Sequence, residues 1–196
     1  MRNLINRLAR VPLQVVGGAI LLGAILLAVH YTLIAHIAAT GGLEPEQWIG
    51  GLTVKWYWVL VPLSFIALWA RRRDREGLLG RVGAVLLTSA PLMWAMITTS
   101  AIVWGGLLGR GDLPEGVMSL ELLIYVFYLG ALVTGLAFLL DTGARWWGAA
   151  LIAGPVVDVV WPYGAAVTFA VFGTGLMLYG FRHRVPLDTP EISQAR

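Results

Sequence analysis

The stretch GPVVDVVWPYG, residues 154–164, decides how many helices the end of the chain forms. It lies inside an apolar run of 36 residues, from Trp146 to Phe181, that contains no polar loop. A membrane-spanning helix needs only about 20 residues. Proline interrupts a helix, and Trp and Tyr settle at membrane interfaces. The sequence therefore predicts a tight turn at WPYG, with one helix over residues 146–161 and another over residues 162–181.

The composition of the whole chain is that of a membrane protein. Of its 196 residues, 58% are hydrophobic and 13% are charged, and the mean hydropathy is +0.77. A soluble domain carries about a quarter charged residues. We expect an all-α polytopic integral membrane protein with a single domain over residues 1–185. A loose cytoplasmic tail is expected over residues 186–196.

Six apolar runs follow one another along the chain and predict a bundle of six transmembrane helices. The first run is longer than the apolar core of a cleaved signal peptide, so it is interpreted as a retained span. Five spans would result if the last two runs formed one helix. The predicted spans cover residues 13–40, 52–70, 82–108, 118–140, 146–161 and 162–181.

Basic residues are unevenly distributed between the segments that join these runs. If both termini are inside the cell, twelve arginines lie in inner segments, whereas only Lys55 and Arg110 lie in outer ones. This asymmetry follows the positive-inside rule, and the arginine- and glycine-rich composition suggests a bacterial chain. We predict a bacterial inner-membrane protein with cytoplasmic N- and C-termini. Since topology accounts for the net charge of +3, the expected partner is the lipid bilayer and not nucleic acid.

The ionisable side chains outside the inner segments fall in the outer half of the predicted bundle. A rise of about 1.5 Å per residue places His30 and Asp158 in the outer third of their spans. An intramembrane charge normally faces a partner or a wet cavity. We therefore predict an outward-opening polar pocket. Its candidate substrate-binding residues are Asp158, His30, Lys55 and Glu121.

Asp158 also has a purely structural interpretation. Its carboxylate could pair with Lys55, or it could cap broken backbone near Pro162 and hold the helices together. His30 could likewise serve as an interhelical hydrogen-bonding residue. The sequence leaves the functional and the structural interpretations open.

Several kinds of chemistry are disfavoured by the residue types present. The chain has no cysteine and three histidines, so thiolate sites are excluded and no histidine pair suits a haem on facing helices. A catalytic zinc needs three clustered protein ligands and an open position, which this pattern does not predict. We expect no metal and no cofactor.

The favoured function is that of a small-molecule binding or transport subunit. The size of the chain and its predicted topology resemble the substrate-capturing components of energy-coupling-factor vitamin transporters. That resemblance implies binding of a small polar ligand from the outer side by Asp158, His30 and Lys55.

Two other functions remain open. The strings RRRDREGLLG, PLMWAM and VVDVVWPY resemble segments of membrane-bound terpene cyclases of the fungal meroterpenoid type, although Ala95 stands where an acid is expected. That resemblance implies a lipid- or isoprenoid-modifying enzyme with Asp158 or Glu121 as general acid. The third function is an accessory subunit of a larger membrane complex, with other membrane subunits as partners. Whether the protein is an enzyme is left undecided.

Overall fold

The computed structural model describes residues 2–40, 55–72, 77–110, 122–140, 145–161 and 163–182. These ranges are helical apart from short turns, and they contain no β-strand. A π-helix, Ile102–Leu107, continues the fourth α-helix. The α-helices in these ranges are α1 (Arg2–Ala9), α2 (Leu13–Thr40), α3 (Tyr57–Arg72), α4 (Gly77–Ala101), α5 (Leu123–Leu140), α6 (Arg145–Val160) and α7 (Gly164–Arg182).

Four of these helices contain segments that are long and apolar enough to cross a membrane. The helices α3 and α6 have 16 residues each, or about 24 Å, which is less than the roughly 30 Å of a hydrocarbon core. The described residues therefore give four candidate spans, and the predicted count of six is not confirmed. The four segments are Leu13–Leu33, Gly77–Ile97, Leu123–Leu140 and Gly164–Arg182.

The chain turns between α6 and α7, at the position where the sequence predicts a tight turn. The amide of Trp161 donates to the carbonyl of Val157 at 2.9 Å, and the amide of Gly164 donates to the carbonyl of Trp161 at 2.8 Å. Pro162 itself lies outside the described residues. The long apolar run is thus divided into two separate helices.

The helix α4 begins earlier than the apolar run indicates. It starts at Gly77 and includes Arg81, whereas the predicted span starts at Val82. A long cationic side chain is tolerated near a helix end because its charged head can reach the membrane interface. The apolar run therefore underestimates the length of the helix.

The helices α2 to α7 form a closed ring in the order of the chain. Each packs closely against the helix before it and the helix after it, and α7 returns to pack against α2. Neighbours are antiparallel, because the start of one lies beside the end of the next. At the closure, for example, the side-chain Nε2 of Gln14 in α2 donates to the carbonyl of Gly180 in α7 at 2.6 Å.

Glycines allow the closest of these helix contacts. A Cβ on Gly17 would lie 2.5 Å from the carbonyl oxygen of Gly173, and one on Gly173 would lie 2.7 Å from the carbonyl oxygen of Gly17. The backbones of α2 and α7 therefore touch directly, as small residues permit in membrane helix pairs. Gly83 meets Thr134 between α4 and α5 in the same way, with a Cβ 2.7 Å from the Thr134 amide.

Aromatic rings from several helices fill the inside of the ring. Phe65 of α3 lies 5.4 Å from Phe172 of α7 and 6.3 Å from Phe169, measured between ring centroids. Phe127 of α5 contacts Phe169 at 6.0 Å, and Trp147 of α6 contacts Phe172 at 5.5 Å. These tilted and edge-on contacts are the arrangements that aromatic pairs prefer. These aromatic contacts join four of the six helices of the ring, and buried aliphatic residues such as Ile20 of α2 and Leu87 of α4 complete the core.

Most of the described basic residues lie at one end of the ring, which we call the arginine end. Arg71 donates to the carbonyl of Val11 at 3.0 Å, and the Arg72 guanidinium lies 4.8 Å from the centre of the Phe138 ring. These contacts join the end of α3 to the turn before α2 and to the end of α5. The arginine end is defined by Arg7, Arg10, Arg71, Arg72, Arg81, Arg145 and Arg182.

The two adjacent glycines of α2 give a matched test of this packing. We expect Gly17→Ala to lower the free energy of unfolding by about 1–3 kcal/mol, because the methyl group would overlap the α7 backbone. Gly18 has no atom within 4 Å of the added Cβ, so Gly18→Ala should be neutral or stabilising by up to about 1 kcal/mol. Thermal unfolding in the same detergent compares the two variants. Equal stabilities would contradict the α2–α7 contact.

Candidate functional site

Four tyrosines mark the opposite end of the ring, which we call the tyrosine end. They come from three different helices and from the turn that precedes α7. Two of the predicted site residues, His30 and Asp158, contact these tyrosines directly. The four are Tyr31, Tyr57, Tyr128 and Tyr163.

The side chain of Asp158 is surrounded by hydrogen-bond donors. The hydroxyl of Tyr128 donates to its Oδ2 at 2.5 Å, and the amide of Ala165 donates to its Oδ1 at 3.0 Å. The Tyr31 side chain also lies close enough to interact electrostatically with this carboxyl group. Hydrogen bonds to a charged acceptor are the stronger kind. Asp158 thus connects α2, α5, α6 and the start of α7.

The close approach of α6 and α7 brings the Ala165 amide within reach of Asp158. A Cβ on Gly164 would overlap the backbone of Val157 and would lie 2.5 Å from the amide nitrogen of Asp158. Glycine is therefore required where α7 begins. The first amides of a helix lack partners within the helix, so the Asp158 carboxyl group satisfies one of them from the preceding helix. This contact is the backbone cap that the structural interpretation of Asp158 anticipates.

A second polar contact joins the turn before α7 to α2. The Thr32 hydroxyl donates to the carbonyl of Ala28 at 3.0 Å and lies 3.3 Å from the hydroxyl of Tyr163. Because a threonine hydroxyl has one hydrogen, Tyr163 is the donor in the second bond. The rings of Tyr163 and Tyr31 meet edge to face, with centroids 5.8 Å apart. The turn is therefore fixed to α2 by a hydrogen bond and an aromatic contact.

His30 and Lys55 form a separate pair. The Nζ of Lys55 lies 3.5 Å from the Nε2 of His30. A lysine ammonium has only donors, so the histidine nitrogen is the acceptor and the ring proton is on Nδ1. The His30 ring also lies 5.5 Å from the ring of Tyr57. Lys55 precedes the first residue of α3, and burial lowers the pKa of its ammonium group to about 8.

Tyr31 lies between the two groups of polar residues. Its ring is 6.1 Å from that of His30, while its hydroxyl reaches Asp158. Direct contact between Asp158 and either His30 or Lys55 does not occur among the residues that the structure describes. The predicted site residues are thus brought to one end of the ring and joined through a tyrosine.

A small cleft lies beside Asp158, between α5, α6 and α7. Its volume of ≈ 20 Å³ leaves room for about one water molecule. Tyr128 and Thr168 line it together with Asp158, and its other walls are apolar. His30 and Lys55 do not line this cleft. The predicted pocket shared by all the candidate residues is therefore not formed by the described helices alone.

Glu121, the fourth candidate, lies outside the described residues, as do residues 41–54 and 111–120. In the sequence, these residues lie between α2 and α3 and between α4 and α5. The assignment of Asp158, His30, Lys55 and Glu121 to substrate binding therefore stays a prediction.

The tyrosines and Thr32 are the polar residues that the sequence reasoning missed. The helical rise places only ionisable side chains along their spans, whereas tyrosine is interpreted as a residue that anchors helices at the membrane interface. Yet the same count of residues along the helices places Tyr31 beside His30, and Tyr128 at the end of α5 where Asp158 lies. Applying the depth argument to hydroxyl groups could have found them.

Within the described ranges, no three histidine, aspartate or glutamate side chains come together to hold a metal ion. The described carboxyl group of Asp158 is held by hydroxyl and amide donors instead.

No family model, no curated protein and no solved structure matches the chain. Its candidate site is therefore interpreted from geometry and chemistry alone.

The two tyrosines of α5 give a matched test of the Asp158 site. We expect Tyr128→Phe to lower the free energy of unfolding by about 1.5–3 kcal/mol, because it removes a hydrogen bond to a charged acceptor. Tyr125 lies one helical turn away and is 65% exposed, so Tyr125→Phe should change stability by less than about 0.5 kcal/mol. Unfolding followed by circular dichroism measures both. A Tyr128→Phe variant with the same free energy of unfolding as the wild type would contradict the proposed role of the tyrosine hydroxyl.

Proposed function

We propose that the chain crosses a bacterial inner membrane six times, with the arginine end in the cytoplasm. The helices α3 and α6 each pack between two ring neighbours that are long enough to span, which supports their crossing the membrane as well. A short helix can be accommodated by local thinning of the bilayer. The concentration of arginines at one end supports the orientation, because basic residues favour the cytoplasmic side.

The absence of cysteine from the sequence makes this topology directly measurable. We expect a single cysteine from Arg110→Cys to react with a membrane-impermeant maleimide in intact cells. A cysteine from Arg182→Cys should react with the same reagent only after the membrane is permeabilised. The proposal places three spans, α5 to α7, between these two positions. The same labelling at both positions would contradict this odd number of spans, and the reverse pattern would overturn the proposed orientation.

Within this topology we propose that the protein is a small-molecule binding or transport subunit that takes its ligand at the tyrosine end. The single observation that carries the proposal is the concentration of polar side chains there. Asp158, Tyr31 and the His30–Lys55 pair come from α2, α6 and the turn before α3, yet all lie at one end of the bundle, opposite the arginine end. Polar groups inside a membrane are costly and usually mark a functional site. Hydrogen-bonding groups that converge on one end suit recognition of a polar ligand.

A second candidate function is that of an accessory subunit in a larger membrane complex. It is favoured by the hydrogen bonds that both oxygens of Asp158 already accept and by the small volume of the adjacent cleft, ≈ 20 Å³. Both features suit a carboxyl group that holds helices together. An enzyme with two facing acids would need a second carboxyl group near Asp158. None contacts it in the part of the chain that the structure describes.

A thermal-shift screen tests the binding proposal. The purified full chain is screened in detergent against a set of polar small molecules, alongside the variants Tyr31→Phe and Tyr125→Phe. We expect at least one compound to raise the Tm of the wild type and of Tyr125→Phe. The rise should be smaller for Tyr31→Phe, because Tyr31 joins the two polar groups. Co-purification of the chain with another membrane protein, without stabilisation by any compound, would instead favour the accessory-subunit function.

A further inference from the structure

The two charged side chains at the tyrosine end differ in how well they are neutralised. Asp158 receives hydrogen bonds from the Tyr128 hydroxyl and the amide of Ala165, and the Tyr31 side chain interacts with it electrostatically. Each of its two oxygens therefore has a donor. Asp158 therefore has little need for a cationic ligand group.

Lys55 is in the opposite situation. Its described partner is the ring nitrogen of His30 at 3.5 Å, which accepts a hydrogen bond but carries no opposite charge. Within the described residues, no carboxyl group lies within salt-bridge distance of Lys55. Burial disfavours its charged form and lowers its pKa to about 8, so the ammonium group still carries its charge at neutral pH. A partly buried cation of this kind is stabilised by a nearby anion.

Lys55 keeps donors for such an anion within the described part of the chain. There, one of its three N–H groups has a partner, the His30 ring nitrogen, and two have none. The Tyr57 ring, which is 3% exposed, packs against the His30 ring and holds the histidine in place. Because this environment is partly apolar, the attraction between an ammonium group and an anion is stronger than in water.

From this geometry we propose that Lys55, oriented by His30, binds an anionic oxygen group, a carboxylate or a phosphate, on the ligand that enters at the tyrosine end. This inference rests on the proposed binding function and adds the charge class of the ligand. His30 is a positioning residue here, since it fixes the ammonium group and leaves the other donors free. Such an anion could belong to a free small molecule or to the headgroup of an outer-leaflet lipid.

The experiment uses the purified full chain with sodium acetate, sodium phosphate and sodium chloride at equal ionic strength. It is repeated in nanodiscs of phosphatidylcholine alone and of phosphatidylcholine mixed with phosphatidylglycerol. The variants are Lys55→Gln, His30→Gln, Glu44→Gln, Glu46→Gln and the control Arg110→Gln. Arg110 is an exposed basic residue on the same side of the chain, and its guanidinium lies over the Trp104 ring.

We expect acetate or phosphate, but not chloride, to raise the Tm of the wild type in a saturable way by about 2–4 °C. The rise should be absent in Lys55→Gln, reduced in His30→Gln and intact in Arg110→Gln. As a readout that does not depend on the stability of the variants, the ¹⁹F signal of trifluoroacetate should broaden with the wild type. It should not broaden with Lys55→Gln. Stabilisation by acetate alone would indicate a carboxylate ligand, and stabilisation by phosphate alone would indicate a phosphate.

Several outcomes separate this inference from the proposed function. A Lys55-dependent rise only with phosphatidylglycerol would support the anion site and assign it to a lipid headgroup, against a free small-molecule ligand. Binding of an uncharged or cationic compound in the screen, without any Lys55-dependent effect of anions, would keep the binding function and overturn the inference. An effect of acetate or phosphate that appears only in Glu44→Gln or Glu46→Gln would also overturn it, because a carboxylate of the chain would then hold Lys55.

Discussion

The contact between the Ala165 amide and Asp158 is the interaction on which the arrangement of the last helices depends. An apolar chain can reverse direction inside a membrane only if the freed backbone groups find partners. Here the carboxyl group of α6 satisfies an amide at the start of α7, and Gly164 lets the two backbones approach. Once α7 has turned back along α6, it can pack against α2 and close the ring.

The same contact explains why a charge lies in an apolar stretch. Asp158 caps the following helix, and the Tyr128 hydroxyl of α5 donates to the same carboxyl group. Tyr31 of α2 lies close to it. A structural role and a functional role are compatible, because a carboxyl group held in one position also orients the tyrosines around it. The opposite charge, on Lys55, has fewer partners in the described part of the chain. The two charged groups therefore suggest different roles at one end of the bundle, one that holds helices and one that receives a ligand.

Much of the helical framework could be predicted from the sequence. Long apolar runs identified the helices, and WPYG marked the break between α6 and α7. The pairing of the helices could not be predicted, because α5 is apolar on all its faces and no periodic pattern indicates which face is buried. The pairing depends instead on contacts between single residues, such as the contact of Gly17 in α2 with Gly173 in α7. The partners of Asp158 were missed for a related reason: tyrosine is common at membrane interfaces, so Tyr128 gives no distinct signal until α5 is known to lie beside α6.

The central claim is that the tyrosine end binds a small molecule. Native mass spectrometry of the full chain, released gently from its own membranes, tests this claim most directly. The account predicts a complex of the chain with a bound small molecule, which is lost in the variant Lys55→Gln but retained in Arg110→Gln. A chain that carries no small molecule and is instead bound to a second membrane protein would contradict the claim and identify the protein as an accessory subunit.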